Sequence, residues 1–103
     1  MTEISQGELI TDITPIAFNL GQVVLTRGMD ELCRGNHALL LPLLKRHDHC
    51  DWGNCDPEDA ISNNWATHNE QRIMSVYALL GETVWIITEW DRSVTTILLP
   101  SEY

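Results

Sequence analysis

Residues 72–100 read RIMSVYALLGETVWIITEWDRSVTTILLP, and no other stretch of the chain limits the fold so tightly. Three runs rich in Val, Ile, Thr, Trp and Tyr are separated by turn signals at Gly81 and at Asp91-Arg92, the pattern of consecutive antiparallel strands. With Gly81-Glu82 and Asp91-Arg92 as central turn residues, Tyr77 faces Ile86 and Ile97, while Ser75, Thr88 and Thr95 form a row. Alternation then gives one face Ile73, Tyr77, Leu79, Val84, Ile86, Trp90, Ile97 and Leu99. The other carries Met74, Val76, Ala78, Leu80, Trp85, Ile87, Val94 and Leu98. Both faces are apolar, so both need a cover. At about 1.5–3 kcal/mol per buried large apolar side chain, a bare face forfeits on the order of 10 kcal/mol, comparable with the whole stability of a small domain.

The cover must come from upstream. Residues 22–26, QVVLT, read as a short strand that adds to an edge of the meander. Residues 29–33 read as one or two helical turns ended by Gly35, and Asn36 as the N-cap of a second helix from His37 to His47, kinked at Pro42. Leu39, Leu40, Leu43 and Leu44 give that helix its apolar stripe. Asp56 and Pro57, with Glu58 and Asp59 in the first turn, open a third helix reaching Asn69 or Glu70, anchored by Trp65. Pro15 argues against a helix in residues 13–20, and residues 1–12 read as a loosely docked arm. The expected fold is α+β in a single domain, 1–103: an N-terminal strand and two to three short helices packed on a C-terminal three- to four-stranded antiparallel meander.

Charge narrows the partners. Among 103 residues, 6 Lys and Arg stand against 15 Asp and Glu, a formal net charge of −9. Such a field repels phosphate backbones and acidic membranes, so neither nucleic acid nor membrane is the expected partner. An acidic surface would also suit a nucleic-acid mimic, although solubility alone explains it. The sequence opens without a signal-peptide pattern and contains no apolar run long enough for a membrane span, which points to the cytoplasm. Cys33, Cys50 and Cys55 are odd in number, which favours reduced thiols.

Several short patterns recur together in residues 47–103: His47, Asp51-Trp52-Gly53, then Arg72, Ser75 and Tyr77, then Trp85 leading to Thr88-Glu89. Asp91-Arg92-Ser93, Thr95-Thr96, Leu99-Pro100 and Glu102-Tyr103 follow. This half of the chain resembles a family of small proteins encoded on bacterial plasmids and integrative elements, some labelled type I restriction modification subunits. The resemblance implies mobile-element ancestry without an established activity. The chain departs from that pattern at Trp90, where the family has a small residue, and it has no Gly-rich methyl-donor turn to support the modification label.

Three candidate sites follow. Ser75, Thr88 and Thr95 lie beside Arg72, Glu89, Asp91 and Arg92 in the register above. With His47 over that face, Glu89 as base and Arg72 or Arg92 beside the phosphate, the set would serve a small ribonuclease-like hydrolase, of the kind found among ribonuclease toxins. The same residues equally form a cross-strand hydroxyl ladder with surface ion pairs. His47, His49, Cys50 and Cys55 could hold zinc, but three of them crowd into four positions where neighbouring side chains point apart, so no metal or other cofactor is expected. Trp52 and Trp90 could contact a ligand, Trp90 being the one suspected of exposure. The sheet's second face is covered either by another copy in a two-fold dimer or by the N-terminal arm and first helix. The favoured function is a non-enzymatic protein-binding, regulatory or anti-defence accessory protein with a protein partner. The hydrolase is the alternative.

Overall fold

The computed structural model describes residues 13–103, so the arm expected over residues 1–12 lies outside them. Along the chain come β1 (Gln22–Leu25), α1 (Arg27–Cys33), a 3-10 turn (His37–Leu40) running into α2 (Leu41–Asp48), and α3 (Pro57–Ala66). β2 (Ile73–Leu79), β3 (Glu82–Thr88), β4 (Val94–Leu98) and a short 3-10 turn (Pro100–Glu102) complete the fold. Among the described residues it is an α+β fold with three α-helices in the middle of the chain and most strands in its C-terminal half.

β2, β3 and β4 form the antiparallel meander, and the sheet order is β1-β4-β3-β2. β1 joins β4 in parallel, pairing Val23 with Thr95 and Leu25 with Ile97, so the sheet is mixed and not purely antiparallel. Because β1 and β2 then run in the same direction at opposite edges, the intervening helices make one crossover. A single crossover can cover only one face of a sheet.

The β3–β4 register is the expected one, with Ile86 opposite Ile97 and Thr88 opposite Thr95. The β2–β3 register is shifted by two residues: Leu79 pairs with Glu82, Tyr77 with Val84 and Ser75 with Ile86, not Thr88. The cause is the turn. Its central residues are Leu80 and Gly81, both left-handed at φ 52° and 79°, as a two-residue hairpin turn of the twist-matching kind requires. A shift of two preserves which face each side chain takes, so the two-faced pattern survives.

Local chemistry also moves the helix boundaries. The helix expected from His37 is broken: Asn36 makes no side-chain cap bond, residues 37–40 form a 3-10 turn, and Pro42 stands in the first turn of α2, where its missing N–H costs nothing. α3 ends at Ala66, and residues 67–70 turn away with Glu70 at φ 48°. Trp65 is half-buried, so the anchors of α3 are Asn63 and Ala66 instead.

The first face of the sheet is closed by helices. Met29, Cys33, Leu40 and Leu43 pack on Tyr77, Val84, Ile86 and Ile97, and a second cluster joins Trp52, Ala66 and Ile73. The second face receives no helix residue in either cluster. Ile87 and Leu98 are closed off there by their neighbours, while Met74, Val76, Trp85 and Val94 remain half-buried. Trp90 leaves the face that alternation gave it, standing 59% exposed in the turn after β3.

The outer edge of β2 is protected. Asn63 Nδ2 donates to the Met74 carbonyl at 2.7 Å and its Oδ1 accepts the Met74 N–H at 3.2 Å, in place of a fifth strand. The Val76 N–H goes to the Trp52 carbonyl, and its own carbonyl accepts from Asn54 N–H. This closeness requires Gly53, at φ 73°, where a Cβ would fall 2.0 Å from the Val76 carbonyl oxygen. Among the described residues no helix is long and apolar enough to cross a membrane.

Candidate functional site

The last turn of α2, which carries His47, and the facing strands enclose a line of polar groups. His47 Nδ1 lies 2.6 Å from Ser75 Oγ, His47 Nε2 lies 2.9 Å from Thr88 Oγ1, and Thr88 Oγ1 lies 2.7 Å from Thr95 Oγ1. Thr95 Oγ1 donates to the Leu20 carbonyl at 2.7 Å. His47, Ser75, Thr88 and Thr95 are all 0% exposed. The sequence row of Ser75, Thr88 and Thr95 is therefore joined, although Ser75 is not opposite Thr88. His47 fills the two-residue offset.

Proton counting fixes every role in this line. A hydroxyl has one proton, and that of Thr95 goes to Leu20. Thr88 must then donate to Thr95 and accept from His47 Nε2–H. In the neutral imidazole Nδ1 is left as an acceptor, and Ser75 donates to it. Burial keeps the ring neutral, pulling the His47 pKa down to about 4, with Asp48 opposing weakly. Phe18 closes the ring from one side, edge-on at 5.3 Å, and Trp52 from another at 6.0 Å.

Arg72, Glu89 and Arg92 do not join His47. Glu89 accepts from Arg72 at 3.3 Å, and Arg72 also donates to the Tyr103 hydroxyl at 2.7 Å. The Tyr103 hydroxyl and Glu89 both hold the Arg72 pKa up. Arg72 is about half exposed and Glu89 30% exposed, at one end of the second face. Arg92 is a structural staple: Nη1 donates to the Gln71, Glu89 and Trp90 carbonyls and Nη2 to Ala66. Burial lowers its pKa. Asp91 accepts from the Ser93 N–H and hydroxyl inside the turn, which lowers its own pKa.

The histidine–cysteine loop is divided. His47 belongs to the buried line, His49 contacts Asp48 and the Lys45 carbonyl, and the Cys50 thiol donates to the Ile16 carbonyl. Among the described residues no group of three or more His, Cys, Asp or Glu is placed to hold a metal ion. Burial raises the pKa of all three thiols, making them poor thiolates. Trp52 is buried and donates to Asn64 Oδ1 at 2.8 Å, plugging the loop.

Sequence reasoning missed Phe18, the Leu20 carbonyl, Asn63 and Tyr103 as parts of these constellations. For Asn63 a signal was present: it shares the three-residue spacing of Ala60 and Ala66 on the inward stripe of α3. Compared with protein-family models, with curated proteins and with solved structures, the chain finds no match.

Proposed function

We propose that this protein is a non-enzymatic protein-binding module, serving as an accessory or regulatory protein of a mobile genetic element. One observation carries the reading: the candidate catalytic set does not meet, since His47 and the hydroxyls of Ser75, Thr88 and Thr95 are fully buried with every proton assigned, while Glu89 is paired with Arg72 at the surface. An imidazole whose pKa lies near 4 is also a weak base at neutral pH. The resemblance of residues 47–103 to plasmid- and integrative-element-encoded proteins supports the setting, and the charge of −9 supports a protein partner over RNA.

A hydrolase reading has one observation in its favour, the 2.6 Å approach of Ser75 to His47. It requires substrate to reach atoms that solvent does not reach. The test is incubation of the purified protein with labelled RNA and with chromogenic esters. Turnover no faster than in buffer is expected. Cleavage that disappears in both His47→Ala and Arg72→Gln would overturn the proposal.

A further inference from the structure

We infer that the second face of the sheet, with the groove at its β2 edge, is the docking surface of the binding function proposed above, on which this inference rests. Its occupant is an apolar segment of a basic protein that seats one Lys or Arg side chain in the groove.

Topology provides the first reason. Among the described residues all three α-helices lie in the single crossover between β1 and β2, so they close one face and give the other no α-helical layer. Met74, Val76, Trp85 and Val94 are half-buried on that face. Its one ion pair among the described residues, Arg72 with Glu89, sums to zero charge.

The groove gives the chemistry. About 290 Å³ of space lies between α3 and the C-terminal Tyr103, with Met74 and Arg72 also in its lining. On the α3 side stand Asp59, Ser62 and Asn63. Asn63 spends its amide on the Met74 backbone, whereas Asp59 makes no ion pair among the described residues. Arg72 is neutralised by Glu89 and lies over the Tyr103 ring, 5.9 Å from its centroid. An anionic wall, a thioether and an aromatic ring suit an alkyl stem ending in a cation.

Charge selects the occupant. A second copy would bring another −9 to a surface whose groove already carries Asp59, whereas a cationic protein gains from the same field in rate and affinity.

The experiment titrates the full-length, isotope-labelled protein with a synthetic amphipathic helix of Leu and Lys and, separately, with a scrambled isomer of identical charge. Expected are amide shift changes confined to β2, β3 and the first turn of α3, with the amphipathic isomer binding about tenfold tighter. Trp85→Ala is expected to weaken binding roughly thirtyfold, as loss of a central aromatic does. Asp59→Asn, on an exposed position that leaves the fold intact, should weaken it about threefold. Equal affinity for both isomers, or shifts centred on Trp90 or β1, would overturn this site while leaving the protein-binding reading standing. Self-association at tens of micromolar that Val76→Glu abolishes would make a second copy the occupant, and would overturn it too. Hydrolysis of RNA or ester by the wild type would remove the underlying reading itself.

Discussion

Ser75 donates its hydroxyl proton to His47 Nδ1 across 2.6 Å, a neutral hydrogen bond in which a charged imidazole could not accept. The folded His47 value of about 4 lies below the ordinary 6.5, so the unfolded chain takes up the proton first. Stability from this site is therefore complete above pH 6.5 and is lost as pH falls from 6.5 toward 4. The gap between the two values corresponds to about 3 kcal/mol. Asp51 and Glu102, held low by Arg46 and by Thr26 respectively, add losses that begin as the pH falls through the ordinary carboxylate range, at the acid end of the His47 window. Urea unfolding followed between pH 7 and pH 4.5 should show the slope. His47→Gln should be less stable at pH 7 and nearly flat across that interval. An equally steep variant would show that the imidazole does not govern it.

Thr88 both accepts from His47 and donates to Thr95, so removing its hydroxyl orphans two buried partners at once. Thr88→Val keeps the shape and should cost about 2–3 kcal/mol, the range for a buried donor and acceptor left unmet. Thr96→Val, half-buried on the second face and outside the line, should change stability by less than about 0.5 kcal/mol. Equal losses in the two variants, measured by denaturant midpoint, would mean that the hydroxyl line contributes nothing specific.

Residues 72–100 made the meander, its two apolar faces and the β3–β4 register legible, because alternation and turn residues are local signals. The β2–β3 register was not legible, since Leu80 takes a left-handed conformation that its residue type does not advertise. The parallel docking of β1 is set by the crossover, which no short window contains. His47, Ser75, Thr88 and Thr95 could be picked out as a group from the sequence. That they are sealed depends on Phe18 and Trp52 closing over the imidazole, a tertiary fact. Arg92 and Glu89 were grouped because they are neighbours along the chain. Yet Glu89 faces Arg72, and the Arg92 guanidinium turns to backbone carbonyls.

Arg92 ties the end of α3, the lead into β2 and the β3–β4 turn together through four carbonyls. A lysine has the charge but not the fork, so Arg92→Lys should lose about 1–2 kcal/mol. Arg92→Met keeps much of the stem and abandons every donor, and should lose about 3 kcal/mol. Thermal unfolding of both variants orders them. A lysine variant as stable as wild type would show that charge alone suffices there.

Asn63 holds both polar groups of Met74 at the sheet edge, with contacts of 2.7 and 3.2 Å, and is itself 5% exposed. Asn63→Ala leaves a backbone donor and acceptor open on an edge strand, at a cost of about 2 kcal/mol. Asn63→Asp keeps the acceptor for the N–H but turns a carboxylate oxygen toward the Met74 carbonyl, so it should be the worse of the two. The local signature is hydrogen exchange. The Met74 amide should exchange faster in Asn63→Ala, while Ser75, bonded inward to β3, stays near its wild-type rate. Because an open edge recruits other strands, the same variant should also scatter more light on warming than wild type. Unchanged exchange at Met74 would mean that the Val76 contacts to Trp52 and Asn54 protect this edge without help from Asn63.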